Sequence, residues 1–181
     1  MTGDIAPRER RHYWLSLAAL VVVLPAAVLV SSWGSLKQWR TNHYRVPIAV
    51  ERQAIQRYAG ADWKLSSLTR LPGSTGESSV MLVEIEAVVD DPALLVTSPC
   101  EIALSDEQGR IWKPGFLTEP IVRELHPEAA NKPRCGSLAF EGAGKGARVG
   151  MAETFTVPAT AEDFALSIII SGALPDYLLL K

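Results

Sequence analysis

The chain of 181 residues is 48% hydrophobic and 21% charged, which is typical of one folded domain and excludes collagen-like, coiled-coil and disordered chains. Its net charge of −2, from 18 basic and 20 acidic residues, excludes a nucleic-acid-binding protein whose affinity depends on overall positive charge. Mean hydropathy is nonetheless positive at +0.11, so an apolar segment must be concentrated somewhere in the chain.

That segment is residues 13–33, which contain no charged side chain. As a helix rising about 1.5 Å per residue, it spans the ~30 Å hydrocarbon layer, so the sequence predicts a transmembrane helix at 13–33 after a cytoplasmic tail at 1–12. Trp14 and Trp33 lie near its ends, where indole rings favour the headgroup level. A cleaved signal peptide is the alternative, because basic residues precede the apolar run and small residues stand near its end.

Positive charges flank this segment on both sides in nearly equal number, so the positive-inside rule does not decide its orientation in the membrane. Because the tail is too short to be a domain and both cysteines follow the segment, we expect the tail inside the cell and the domain outside it. The expected membrane-interface residues are aromatic and basic side chains at the ends of the segment and just beyond: Trp14, Trp33, Trp39, Lys37, Arg40 and Arg45.

Residues 34–60 are expected to form a juxtamembrane connector. Apolar residues at helical spacing in 50–58 predict a short helix ending at Gly60, and a strand leading into the domain is the alternative. Residues 37–70 contain seven basic and two acidic side chains, whereas residues 71–181 contain eight basic and sixteen acidic side chains. A basic stretch beside a membrane attracts anionic headgroups, which favours a domain whose base faces the bilayer; an ordinary solvated surface is the alternative.

Residues 61–181 are expected to form an extracytoplasmic domain of about eight short strands, because apolar and polar residues alternate between turn signals. In one stretch Glu84 and Glu86 stand between apolar residues, namely Met81, Val83, Ile85, Ala87 and Val89. No convincing helix interrupts the strands, so the pattern predicts an all-β, antiparallel sandwich. The proline-rich residues 115–134 are expected to be a crossing loop with one helical turn near 120–125.

Cys100 and Cys135 lack the C-x-x-C spacing of a zinc site. An isolated pair in an exported domain most often forms a disulfide, and we expect one here, which would attach the proline-rich loop to strands at both ends. Two free thiols in a cytosolic domain are the alternative.

The hairpin sequence at 104–112 resembles the Leu-x-Asp-x-x-Gly-x-x-aromatic element of telokin-like, immunoglobulin-like domains. The element Phe-x-Val-Pro at 155–158 is similar to another motif of those domains, which are common in bacterial lipoproteins and membrane-anchored proteins of unknown function. The layout also resembles small anchored envelope proteins of actinobacteria. The resemblance implies an immunoglobulin-like fold and an envelope location, and it implies no catalytic residue.

Several motifs resemble catalytic or metal sites, but each is better explained by a structural role in a loop, a turn or the core. The glycine-rich residues 141–147 lack the residues of a phosphate-binding loop at its required positions. Asp90 and Asp91 precede a proline and predict a turn rather than a calcium site. The three histidines lie in separate regions, and the aromatic residues Trp63 and Trp112 are more typical of a sandwich core than of a ligand platform.

We therefore expect a single-pass membrane protein that is not an enzyme and uses no cofactor or metal. Its expected role is that of a non-catalytic protein-interaction or accessory module of the bacterial cell envelope, with a protein partner there and no nucleic-acid partner. The alternative is an extracytoplasmic binding domain for a lipid or glycan. A flat apolar patch favours the first role, and a concave apolar cavity with a few polar groups favours the second.

Overall fold

The structure is a computed structural model that describes the backbone of residues 7–43, 45–51 and 53–181, and the side chains of 12–28, 30–31, 45–51 and 53–181. The chain divides into two compact units, Met1–Tyr44 and Arg45–Lys181. The first contains helix α1 at Pro7–His43, which continues past Pro25. Within the described part of the chain, no helix combines the length and the apolar character that crossing a membrane requires.

In the second unit, the described residues form nine strands in two sheets. Sheet A has the order β1-β9-β8-β5-β6, and sheet B has the order β2-β3-β4-β7. The strands are β1 Val46–Val50, β2 Gln56–Tyr58, β3 Ala61–Pro72, β4 Ser78–Val89, β5 Cys100–Ser105, β6 Ile111–Trp112, β7 Arg148–Pro158, β8 Ala165–Ile170 and β9 Asp176–Leu180. Side chains of both sheets share one buried core, so the unit is a β-sandwich.

The expected purely antiparallel arrangement is wrong at one edge of sheet A. β1 pairs with β9 in parallel, with Val46 opposite Asp176 and Val50 opposite Leu180. The first and last strands of the unit meet here, and the long chain between them supplies the crossover that parallel neighbours require. The other pairs in both sheets are antiparallel.

The helix expected at 50–58 is also wrong, and the strand alternative is correct. Residues 56–58 form β2, which returns into β3 through a two-residue turn at Ala59 and Gly60. Both turn residues have positive φ, 48° and 80°, a geometry that joins antiparallel strands tightly and ends any helix. Because β1 and β2 belong to the sheets, the sandwich begins at Val46 rather than at the expected position 61.

The alternation predicted for residues 81–89 is confirmed, because all five apolar residues face the core between the sheets. Trp63 and Phe140 pack edge to face at 6.0 Å there, and both are fully buried. The core-facing residues of β4 therefore follow from the period of two that a strand imposes on its side chains.

The outer face of sheet B carries a second, smaller core. Leu71, Val80 and Leu82 are buried against Val122 and Ala129. These last two residues belong to short helices α3, Pro120–Leu125, and α4, Pro127–Ala130. The expected helical turn near 120–125 is confirmed, and the proline-rich segment around it is a lid on the sheet rather than a bare loop.

A further short helix, α2 at Pro92–Thr97, stands where no helix was expected. The Asp91 carboxylate accepts a hydrogen bond from the Leu94 N–H at 3.1 Å. Such an N-cap, followed by proline at the first helical position, is sufficient to begin a helix of this length. The Asp90-Asp91-Pro92 sequence therefore starts a helix instead of closing a simple turn.

Candidate binding site

A groove of about 720 Å³ lies on the outer face of sheet A. We call it the sheet A groove and define it by its lining residues: Arg45, Cys100, Glu101, Ile102, Ala103, Ser105, Ile111, Lys113, Pro114, Arg134, Cys135, Glu153, Ser167, Ile169, Tyr177 and Leu179. Its volume is within the range of small-molecule binding sites.

The floor of the groove comes from the outward positions of three adjacent strands. Leu179, Ser167 and Ala103 are successive partners across β9, β8 and β5. Ile169, opposite Glu101 in the next row, is only 7% exposed although it faces away from the core. The floor is therefore mostly apolar, with the Ser167 hydroxyl in its central row.

This floor was not predicted, although β8 and β9 carry its signal. Each strand ends in an unbroken apolar run, Ile168 to Ile170 and Leu178 to Leu180, where an alternating pattern is expected for a strand with one wet face. Such a run indicates a strand that is covered on both faces. Here the inward residues pack in the core, and the outward Ile169 and Leu179 line the groove.

One wall of the groove is held by the predicted disulfide. Cys100 at the start of β5 is bonded to Cys135, with 5.7 Å between the Cα atoms. The bond attaches the end of the proline-rich segment to sheet A. The cysteine pairing expected from the sequence is confirmed.

A buried carboxylate fixes the same wall from the other side. Glu153 on β7 is 3% exposed; its Oε2 accepts a hydrogen bond from Nε of Arg134 at 2.9 Å and forms an ion pair with Nη2 of the same residue at 2.9 Å. Its Oε1 accepts the Cys135 N–H at 2.9 Å. Arg134 in turn donates to the carbonyl oxygen of Phe116 at 2.9 Å. Glu153 therefore orients residues 134–135 and, through Arg134, residue 116.

Main-chain hydrogen bonds complete this attachment of the segment to β7. The Gly115 N–H donates to the Thr154 carbonyl oxygen at 2.8 Å, and the Ala152 N–H donates to that of Pro133 at 3.1 Å. Both ends of the proline-rich segment are thus bonded to the edge strand of sheet B. These contacts also occupy an edge that is otherwise free to pair with another chain.

Two cations flank the groove. Arg45 precedes β1 and Lys113 follows β6, and these strands are the two edges of sheet A. Neither side chain has a hydrogen-bond or ion-pair partner among the described residues. Because Arg134 and Glu153 neutralise one another, Arg45 and Lys113 face a single remaining carboxylate in the lining, that of Glu101.

Several charged groups outside the groove are engaged in structural pairs. Asp90 lies beside Arg57 and 2.9 Å from the Lys145 ammonium, whose hydrogen bond lowers the pKa of this carboxyl. Glu84 contacts the Lys132 ammonium at 2.5 Å, and this hydrogen bond lowers the pKa of Glu84. Within the described residues, no group of three or more His, Cys, Asp or Glu side chains converges in a way that could hold a metal ion.

The aromatic candidates fall in the interior or against other rings. Trp63 is fully buried and donates its indole N–H to the Tyr58 carbonyl oxygen at 2.8 Å. Trp112 packs edge to face with Phe164 at 5.9 Å, and Arg110 lies over the Trp112 ring. Both contacts are structural, as the sequence indicated.

Of the expected membrane-interface residues, the structure describes two side chains. Trp14 on α1 is 60% exposed, and Arg45 lines the sheet A groove. The side chains of Trp33, Trp39, Lys37 and Arg40 lie outside the described part of the chain. The predicted interface role of these six residues stays a prediction.

The two packed sheets define the class of this protein as a β-sandwich. No known protein family and no curated protein matches the chain. Among solved structures, the chain is similar to the yjhA protein from Bacillus subtilis, with 12% identity and a TM-score of 0.43 over 72% of this chain and 97% of that one. It is also similar to an uncharacterized β-sandwich protein from Clostridium difficile 630, with 7% identity and a TM-score of 0.43 over 76% of this chain and 95% of that one.

Proposed function

We propose that this protein is a single-pass, membrane-anchored binding module of the bacterial cell envelope, with the sandwich outside the cell and no catalytic role. The sheet A groove carries the proposal. It is concave, its floor is mostly apolar, and polar or charged groups stand on the floor and at the walls, which is the arrangement expected of a site that holds a lipid or a glycan.

The charged side chains of the wall support binding rather than catalysis. Glu153 and Arg134 satisfy each other and hold backbone groups of residues 116 and 135. A carboxylate used in this way stabilises a surface and is not available to a substrate. We therefore assign the pair a structural role.

Anchoring rests on the sequence of residues 13–33, an uncharged stretch long enough to span the hydrocarbon layer. The disulfide is consistent with an extracytoplasmic domain, because such bonds persist in oxidising compartments.

We also assign the sandwich to the immunoglobulin-like class. In support, residues 104–112 form the β5–β6 hairpin that the resemblance implies, with Leu104 opposite Trp112.

Thiol labelling of intact cells tests location and disulfide together. We expect a membrane-impermeant maleimide to label the full-length chain in intact cells only after an impermeant reductant is added. Labelling that requires cell lysis overturns the extracytoplasmic assignment. The double variant Cys100→Ser, Cys135→Ser is the control and takes up no label, while resistance of the chain to alkaline extraction tests the anchor.

A protein partner is the second candidate, and a different observation favours it. Phe116 and Leu117 are 90% and 68% exposed, although the backbone beside them is held by Thr154 and Arg134. A fixed backbone that presents two adjacent large apolar side chains to solvent is typical of a protein-docking surface.

In-cell crosslinking of the full-length chain tests this second role. We expect Phe116→Ser to remove a specific crosslinked partner and Ile55→Ser to retain it, because Ile55 is 67% exposed but lies just before β2. Equal crosslinking of both variants overturns the docking role of Phe116.

A further inference from the structure

We infer that the sheet A groove binds one acyl chain of an anionic lipid, with the chain across the apolar floor and the headgroup at a flanking cation. This inference rests on the proposed function, because a membrane-anchored module meets lipid as its most abundant apolar ligand. It names the ligand class that the proposed function leaves open.

The floor matches an acyl chain in chemistry and in length. Its central residues are Ala103, Ile169, Leu179 and Tyr177, together with Ser167, whose hydroxyl donates a hydrogen bond to the Ala103 carbonyl oxygen at 3.0 Å. The sheet is five strands wide, and at a strand spacing of about 4.8 Å its edges lie roughly 19 Å apart. One leaflet of a bilayer is about 15 Å thick in its hydrocarbon part, so an acyl chain that spans this distance fits within the width of the sheet.

The burial pattern independently indicates a covered face. Ile169 and Leu179 point away from the core on two neighbouring central strands, and their positions give β8 and β9 apolar residues on both faces. A strand face that only meets water does not require such residues. The protein itself already buries Ile169, whereas Leu179 is only half-buried, so an apolar chain in the groove would extend this cover to Leu179.

Charge complementarity selects an anionic headgroup. Arg45 and Lys113 line the two ends of the groove without a partner among the described residues, and Glu101 is the remaining unneutralised carboxylate in the lining. Basic residues near a bilayer attract anionic lipids. A zwitterionic lipid carries an ammonium group beside its phosphate, so it pairs with these cations less favourably than a lipid with a net negative headgroup.

Photocrosslinking of the full-length chain in lipid vesicles tests the inference. The vesicles contain phosphatidylcholine and a small fraction of phosphatidylglycerol whose acyl chain carries a diazirine. After irradiation, we expect crosslinked peptides from β8 and β9 in addition to peptides from residues 13–33. Replacing the probe by phosphatidylcholine with the same diazirine chain is expected to lower crosslinking at β8 and β9 about tenfold.

Two variants distinguish a bound lipid from one that merely lies nearby. Ala103→Phe fills the centre of the floor and should abolish crosslinks at β8 and β9. The double variant Arg45→Gln, Lys113→Gln should reduce them about tenfold. The matched control is Lys145→Gln, Arg148→Gln, which removes two cations whose side chains are 76% and 78% exposed outside the groove, and it should leave crosslinking unchanged. Near-ultraviolet circular dichroism confirms that each variant is folded.

The outcomes separate the inference from the function on which it rests. Crosslinks in 13–33 without crosslinks in β8 and β9, or crosslinks there that survive Ala103→Phe, overturn the lipid ligand and leave the anchored module intact. The absence of crosslinks in 13–33 overturns the anchor itself. Equal crosslinking by both headgroups overturns the anionic selectivity that Arg45 and Lys113 imply.

Discussion

The hydroxyl of Tyr58 donates a hydrogen bond to the carbonyl oxygen of Asp176 at 3.0 Å and thereby joins β2 of sheet B to β9 of sheet A. The same hydroxyl accepts the Ile170 N–H at 3.1 Å. One buried side chain thus satisfies main-chain groups of two strands in the opposite sheet. The two sheets are connected by a polar contact at this edge as well as by their apolar core.

Removing that hydroxyl should destabilise the sandwich. In Tyr58→Phe, the Ile170 N–H and the Asp176 carbonyl lose their partner, so we expect the free energy of unfolding to fall by about 1–3 kcal/mol. Urea denaturation of the full-length chain in detergent, followed by tryptophan fluorescence, measures the change. Tyr177→Phe is the control and should be close to neutral, because the Tyr177 hydroxyl has no hydrogen-bond partner among the described residues.

Tyr58 should also give the protein an alkaline limit of stability. Burial raises the pKa of Tyr58 above 10.0, and the nearby Asp176 charge adds to this, while the Ile170 hydrogen bond opposes it. The stabilising contribution is therefore complete below pH 10 and is lost as pH rises through the folded-state pKa, at up to about 1.4 kcal/mol per pH unit. Urea titrations between neutral pH and pH 11 should show a steeper loss in the wild type than in Tyr58→Phe, and parallel curves would contradict the assignment.

The disulfide should be a major source of stability. Cys100 and Cys135 are separated by 35 positions, and a crosslink that closes such a loop contributes about 4 kcal/mol in the chain-entropy model. We expect the double variant Cys100→Ser, Cys135→Ser to lose about that amount in urea denaturation. Reductant should lower the stability of the wild type to that of the variant and should leave the variant unchanged.

The buried carboxylate of Glu153 should resist even a conservative replacement. In Glu153→Gln, an NH₂ group replaces one of the two carboxylate oxygens. Because Arg134 donates to one of these oxygens and the Cys135 N–H donates to the other, one donor loses its acceptor. We expect a loss of about 2–3 kcal/mol in the free energy of unfolding. Glu86→Gln is the matched control, since Glu86 is 38% exposed and 3.6 Å from Arg148, and it should change stability by less than about 1 kcal/mol.

The small core on sheet B can be tested at Val122. This side chain belongs to α3 and is fully buried against the outer face of β4. Truncation by Val122→Ala removes two methyl groups and should cost about 1.5–3 kcal/mol, as measured by thermal or urea unfolding. Leu125→Ala on the same helix should change stability by less than about 0.5 kcal/mol, because Leu125 is 53% exposed; equal losses would show that α3 does not form a core.

Local patterns were sufficient to predict much of the fold. The alternation at 81–89 determined the inward face of β4, and the turn chemistry at 105–109 predicted the β5–β6 hairpin, in which Gly109 has a φ of 79°. The helix expected at 50–58 failed for a physical reason, since its apolar spacing also fits two short strands separated by a break. Tertiary pairing of Gln56–Tyr58 with β3 decided between them.

By itself, the sequence determined an uncharged, mostly apolar segment at 13–33, a set of strands and a single possible pairing of its two cysteines. Only the tertiary structure decided that β1 lies parallel to β9, that α3 and α4 cover sheet B, and that Ile169 and Leu179 face a groove beside the disulfide. The reason is that side-chain alternation depends on neighbouring residues, whereas strand order and the groove depend on contacts between segments far apart in the chain.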